Sequence, residues 1–400
     1  MEKFHGVCDC ITKKGRIWSM FQKRLGQVKK SIGEQKLDGV LLSAHSTIAY
    51  LSGYSNFSKD EREAYIFIGK NFEYIVTDGR YSEAIKNEVP HLTLFQRGRR
   101  KTIEGLLKKH KKGIKSLGIE EDNLTVSEHK ILRKYFKKIK HFNVKSQRSI
   151  KTPEEIKKIE KACKLGDKTF EHILGKIKEG ISEKELAFEI EYFIKKNGVE
   201  ISFPPIVAFG KNSSVPHHKT SDKRLTINDK LILLDFGVKH EDYCSDMTRT
   251  VFFGTPDKKQ KDIYETVLEA QKRAIDFINY SIKMGKKILA KDVDSVSRKY
   301  IISEGFKSIP HSLGHGIGLE VHESPHLSPK SKDILKEGMV FSIEPGIYIP
   351  GFGSPRFAGR LWRTSSKTGE AGGVRIEDLF LLGKDGLKQI TNSPKKLIII

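Results

Sequence analysis

Between residues 16 and 37 the apolar side chains return at intervals of three and four, at Trp18, Phe21, Leu25, Val28 and Ile32. That spacing places them on one face of an amphipathic helix. The apolar run Val40 to Leu42 then predicts a strand. Tyr65 to Ile68 and Tyr74 to Val76 predict two more, with Asp78-Gly79-Arg80 as the turn that follows. Helix followed by strand, repeated, predicts a small α/β domain that ends near Val144. A second start signal lies at Thr152-Pro153-Glu154-Glu155: a capping threonine, a proline suited to the first helical position, and a glutamate that completes a capping box. The helix it opens runs towards Ile177, with a break near Gly166. Ser182 and Glu185 form another capping box, opening a helix whose Leu186, Ile190, Phe193 and Ile194 face inward. From Ile201 the pattern changes to strands at Ile206 to Ala208, Leu231 to Val238 and Tyr243 to Phe253. Helices return at Gln260 to Tyr280 and Val293 to Glu304, and the chain ends strand-like. The expected class is α+β, with an α/β domain over residues 1–147 and a larger α+β domain over 148–400.

A chain of 400 residues suits two domains, and a hydrophobic fraction of 37% is ordinary for a globular enzyme. The formal charge of +23 is not ordinary. It suits an acidic partner or a nucleic acid. However, the lysines are dispersed among glutamates with no long basic tail, so they read as a solvated surface and no specific nucleic-acid partner is expected. Cys8, Cys10, Cys163 and Cys244 match no zinc or redox spacing and read as free thiols. No apolar run is long enough to span a bilayer, and Met1 to Lys14 lacks the apolar core of a signal peptide. The expected location is the cytoplasm, with no membrane contact.

The chemistry concentrates in four segments. Leu233-Leu234-Asp235-Phe236-Gly237 and Ser245-Asp246-Met247-Thr248 each bury an aspartate in an apolar strand, which is costly unless its charge is compensated. The two read as arms of one hairpin turning near His240 to Asp242, which can aim both carboxylates at one point. A single such Asp could equally cap a turn or pair with a lysine. His311-Ser312-Leu313-Gly314-His315-Gly316-Ile317-Gly318-Leu319-Glu320-Val321-His322-Glu323 combines three histidines with glycines that permit close backbone approach. Ser342-Ile343-Glu344-Pro345-Gly346 and Val374-Arg375-Ile376-Glu377-Asp378 each place a glutamate in a strand-like run; either alone could face solvent. Together the carboxylates carry about four negative charges, which two divalent cations would balance. Oxygen donors with one imidazole suit Mn²⁺, Co²⁺, Fe²⁺ or Zn²⁺ better than a thiolate-held zinc does. Two such ions can activate a water and polarise a carbonyl, which is hydrolase chemistry.

The order Asp235, Asp246, His315, Glu344, Glu377 resembles the ligand order of the pita-bread metallopeptidases, which include methionine aminopeptidase, Xaa-Pro aminopeptidase and prolidase. His311 to Glu323 is similar to the proline-peptidase signature. Leu37 to Tyr81, with Thr77-Asp78-Gly79-Arg80-Tyr81, looks like the creatinase-type N-terminal domain. The resemblance covers nearly the whole chain. It implies a C-terminal pita-bread catalytic domain behind a smaller creatinase-like α/β domain, two divalent ions (manganese first), peptide substrates with proline at the second position, and a homodimer. By the same resemblance Asp235 chelates one metal, Asp246 and Glu377 bridge both, and His315 and Glu344 hold the second. Glu344 also takes the proton from the attacking water. His217, in Val215-Pro216-His217-His218, contacts substrate and His322 stabilises the developing oxyanion. His311 lines the proline pocket, and Arg375 orders Glu377 or the substrate. His218 reads as a surface neighbour of His217.

The leading expectation is an Xaa-Pro aminopeptidase. A prolidase restricted to dipeptides is the enzymatic alternative, and a metal-free binding module is the alternative from another class. The five ligand-type residues argue against the module. One departure from the family pattern is Ser354 to Gly372, which reads as a loop insertion between two ligand-bearing strands. The stretch before Lys14 reads as an extension.

Overall fold

The computed structural model describes residues 3–349 and 372–400, and the chain divides into two compact units, Met1–Arg148 and Ser149–Ile400. In the first unit the opening helix spans Lys3–Glu34. Phe21, Leu25, Val28 and Ile32 are buried as their spacing predicts, but Trp18, in step with them, is 52% exposed. A six-stranded sheet follows, in the spatial order Thr93–Gln96, Phe72–Thr77, Tyr65–Gly69, Gly39–Leu42, Ser116–Ile119, Lys138–His141. Gly39–Leu42 pairs antiparallel with Tyr65–Gly69 and parallel with Ser116–Ile119, so the sheet is mixed. The near-continuous apolar character of its inner strands reflects burial on both faces.

In the second unit the helix Pro153–Leu174 starts where its capping box places it. The Thr152 side chain accepts from Glu155 N, and the Glu155 carboxylate accepts from Thr152 N. Such a cap stabilises the helix by about 1 kcal/mol. The helix does not break at Gly166. That residue is buried within it, where an added Cβ would lie 3.7 Å from Ser245 Oγ, so packing outweighs the weak helix propensity of glycine. The next helix, Glu183–Lys196, carries the second capping box on Ser182 and Glu185. These two helices share a core with a three-stranded sheet ordered Met247–Phe252, Leu231–Phe236, Ile206–Phe209. The helices Lys258–Lys283 and Ala290–Ser303 share the other large core with a five-stranded sheet. Its order is Glu323–Leu327, Gly314–Gly316, Val340–Ile343, Asp378–Leu382, Leu387–Gln389.

The hairpin between the two aspartates is a double one. Leu231–Phe236 pairs with Met247–Phe252, and beyond Gly237 Val238–His240 pairs with Tyr243–Cys244 around a turn at Glu241 and Asp242. Gly346–Ile349 pairs with Gly372–Arg375, Ile349 opposite Gly372, so Gly372 belongs to a strand. The rest of the expected insertion, residues 354–371, lies outside the described residues. No described helix is long and apolar enough to cross a membrane.

Candidate metal centre

The four acidic side chains and His315 come from strand ends that the sheet pairing brings together. Asp235 is opposite Thr248 in the central pair of strands. Asp246 precedes the partner strand at a kink, where a Cβ on Gly237 would come within 2.0 Å of the Ser245 carbonyl oxygen. His315 is the middle residue of Gly314–Gly316. A Cβ on Gly314 would lie 2.0 Å from Ser342 O, and one on Gly316 2.2 Å from Ser324 O. Only glycine on both sides lets His315 sit between those neighbours. Ile343 pairs with Asp378, so Glu344 and Glu377, the next residues outward, leave the same end of the five-stranded sheet.

Ligand atoms of Asp235, Asp246 and Glu377 lie within 4.8 Å of one another, as do those of His315, Glu344 and Glu377. The two groups share Glu377. Asp246, His315 and His322 form a third such group. His315 Nε2 is 3.2 Å from Glu344 Oε1, 3.7 Å from Asp246 Oδ2 and 3.9 Å from Glu377 Oε1. Asp246 Oδ1 and Glu377 Oε1 are buried and have no hydrogen-bond partner among the described residues. The contrast with Asp378 is direct. It is also buried, but Arg249, Gln271, Thr391 and Lys395 all reach its carboxylate. A carboxylate with the solvation of Asp378 is a structural ion pair. Carboxylates with oxygens left open towards one another fit a divalent cation.

Electrostatics agree. Burial, and then the charges of Glu377, Asp235 and Glu344, push the Asp246 carboxyl well above the usual range. Burial and then Glu344 and Asp235 push Glu377 up to about 8. Burial also raises Asp235, against the pull of Arg375. Burial opposes ionisation of Glu344, but its hydrogen bond and charge contact with His315 hold it at about 2. Burial would lower His315, but Glu344 and then Glu377 push it up to about 9. Protonated His315 thus supplies part of the positive charge that a bound cation would replace, and it must release that proton to become a ligand.

Around these residues lies a cleft of about 470 Å³, lined among others by Phe203, Pro216, His217, His311, His322 and Arg375. His217 and His322 are exposed at it. His322 packs edge-on to His315, with ring centroids 4.3 Å apart. Burial and then the charge of His315 lower its pKa, so it is neutral near pH 7 with one ring N–H to donate. His311 bonds through Nε2 to Tyr348 OH at 2.8 Å, and burial lowers its pKa too.

Arg375 reaches Asp235 rather than Glu377. It donates to Asp235 Oδ2 at 2.6 Å, to Thr248 Oγ1 at 3.0 Å and to Tyr348 OH at 2.9 Å. Glu377 is held by Thr248, whose hydroxyl donates to Oε2 at 2.8 Å. Arg375 therefore orders Asp235 directly and Glu377 only through Thr248. Sequence reading missed Thr248 and Tyr348, because neither type stands out in a strand. His218 is not a surface neighbour: its side chain is 14% exposed and bonds to the fully buried Glu183 at 2.9 Å.

The chain matches the metallopeptidase family M24 model over residues 157–384 and the creatinase/prolidase N-terminal domain model over residues 24–150. It is 37% identical to an Xaa-Pro dipeptidase of Pyrococcus horikoshii, over 95% of this chain and 99% of that one. Among solved structures it resembles an Xaa-Pro dipeptidase from Bacillus anthracis, with 34% identity, TM-score 0.83, and coverage of 95% of this chain and 100% of that one. It also resembles an X-Pro aminopeptidase from Thermotoga maritima, with 31% identity, TM-score 0.75, and coverage of 94% and 100%. Family membership accounts for the pita-bread architecture, the creatinase-type first domain and a requirement for divalent metal. The chain is a metallopeptidase of family M24 with a creatinase/prolidase N-terminal domain.

Proposed function

We propose that this chain hydrolyses the peptide bond that precedes a proline at the second position of a short peptide, using two divalent ions. We assign residues 1–147 to the creatinase-like domain and 148–400 to the catalytic domain. The observation that carries the proposal is the pair of buried, unpartnered carboxylate oxygens on Asp246 and Glu377, within two ligand groups that share Glu377. Asp235, Asp246 and Glu377 would hold one ion, and His315, Glu344 and Glu377 the other, with Mn²⁺ or Co²⁺ the best match to this donor set. When bound, the ions supply an acidified water and polarise the scissile carbonyl.

The chain's own residues do the rest. Glu344, ionised at neutral pH, accepts the proton of the attacking water. Neutral His322 donates to the oxygen that gains charge. His217 and His311 face the cleft and orient the peptide, while Arg375 fixes Asp235. His322→Ala is expected to lower kcat by about a hundredfold with metal content intact, the usual cost of one oxyanion donor. Loss of metal from that variant would make His322 a ligand, a role its grouping with Asp246 and His315 also permits.

The Pyrococcus and Bacillus relatives are named Xaa-Pro dipeptidases and the Thermotoga neighbour an X-Pro aminopeptidase, so both readings have a counterpart among them. Initial rates on an Xaa-Pro dipeptide and an Xaa-Pro-Yaa tripeptide, each with added Mn²⁺, separate the two. A dipeptidase is expected to be at least about tenfold faster on the dipeptide. Turnover of peptides without proline at equal rate, or of none at all, would sink the proposal.

A further inference from the structure

Glu183 is fully buried at the start of the helix Glu183–Lys196, and its carboxylate receives donors from a single stretch of chain. Oε1 accepts from Phe209 N and Asn212 Nδ2, both at 2.8 Å. Oε2 accepts from His218 Nε2 at 2.9 Å, Ser221 N at 3.0 Å and Ser221 Oγ at 2.6 Å. The helix backbone adds Glu183 N to Lys223 O at 3.0 Å and Lys184 N to Ser221 O at 3.1 Å. One carboxylate thus ties both ends of residues 209–221 to the first turn of a helix. Between the tied ends lie Pro216 and His217, which line the cleft. The turn that carries them is closed by His218 N to Val215 O at 3.1 Å.

We propose that Glu183 and His218 are a positioning pair that fixes His217 against bound substrate. The proposal rests on His217 contacting substrate, as above. The physical basis is that a buried carboxylate with five donors is rigid, and His218 is the immediate neighbour of His217. With His218 turned towards Glu183, the backbone at position 217 has little freedom left. A misplacement of about 1 Å in a group that orients substrate costs up to about a hundredfold in rate. Ionised Glu183 suits the role: burial opposes its charge, but the bonds from Ser221, Phe209, His218 and Asn212 together lower its pKa.

Removing Glu183 would strand its donors and endanger folding, so the test uses His218 in the full chain loaded with Mn²⁺. The variants are H218A, H218Q, H217A and H217A/H218A, assayed on an Xaa-Pro dipeptide. We expect H218A to lower kcat/KM about tenfold through misplacement of His217, with bound metal unchanged and a melting temperature somewhat reduced by the lost charge-assisted hydrogen bond. H218Q, whose side-chain amide can put an N–H near the place of Nε2, should recover most of that loss. In the H217A background the further loss on removing His218 should be under about twofold, because the pair acts through His217. An unimpaired H218A, or a full tenfold loss persisting in the H217A background, overturns the inference while leaving His217 in its role. An unimpaired H217A removes that role and the inference with it.

Discussion

Asp246→Ala is expected to bring turnover below detection. Asp246 belongs to two of the three ligand groups, and its Oδ1 has no hydrogen-bond partner among the described residues. Changes to residues that merely support a metal ligand weaken binding about ten- to a hundredfold, so removing a ligand should cost more than that. The variant should not owe its inactivity to unfolding. Asp246 is crowded by Glu377, Asp235 and Glu344, and burial with these charges raises its pKa. Deleting it removes a carboxyl that in the cation-free protein must either hold a proton or repel its acidic neighbours, so the melting temperature is expected to equal or exceed that of the parent. In the presence of Mn²⁺ the order should reverse, because the parent gains stability from bound ions and the variant does not. Bound metal by elemental analysis, melting temperature with and without Mn²⁺, and dipeptide hydrolysis together check this. Near-parental activity with a full metal complement would mean that the site lies elsewhere.

The acidic residues of this centre were legible in the sequence because they break a local rule. Asp235 and Asp246 sit among apolar strand residues, and a charge in such a place demands a partner. Helix starts were legible for a similar reason, since Thr152 with Glu155 and Ser182 with Glu185 are local patterns with a local cause. What the sequence hid is long-range. Arg375 could be seen as a cation near Glu377, but its partner Asp235 is 140 residues away and only the fold aligns them. Glu183 lies in a helix's first turn, where nothing in the sequence singles it out. Its burial under Phe209, Asn212, His218 and Ser221 depends on how the strand Ile206–Phe209 leaves its sheet. The same dependence made His218 look superficial. Trp18 shows the converse, a residue in step with an apolar face yet half exposed, because a helix periodicity names a face without fixing its width. Gly166 suggested a break in its helix, but a glycine buried inside a helix and a helix-ending one look alike from sequence.

Chelation of the divalent ions is expected to abolish hydrolysis, and Mn²⁺ or Co²⁺ to restore it, with a pH dependence set by the same carboxylates. In the cation-free protein Glu377 is pushed up to about 8 by burial and its acidic neighbours, Asp246 is raised as well, and His315 is raised to about 9. These groups hold protons near neutrality, and a cation must displace them to bind. Apparent metal affinity is therefore expected to rise with pH up to about 8 to 9 and level off above. Titration calorimetry in two buffers of different ionisation enthalpy should register proton release at about pH 7. Stability follows with the opposite slope. A group whose folded pKa lies above its unfolded value stabilises the fold while protonated, and that contribution is lost as the pH rises through the folded value. The stripped protein should thus lose melting temperature between about pH 5 and pH 9, as Glu377, Asp246 and His315 are made to give up protons in a buried cluster. Glu344, held at about 2, stays ionised across this range and adds no slope. The Mn²⁺-loaded protein should lack the decline, because the ions favour the deprotonated forms of their ligands. Full activity in protein shown to be free of metal, or an affinity that weakens as the pH rises from 6 to 8, would remove the metal centre from these residues.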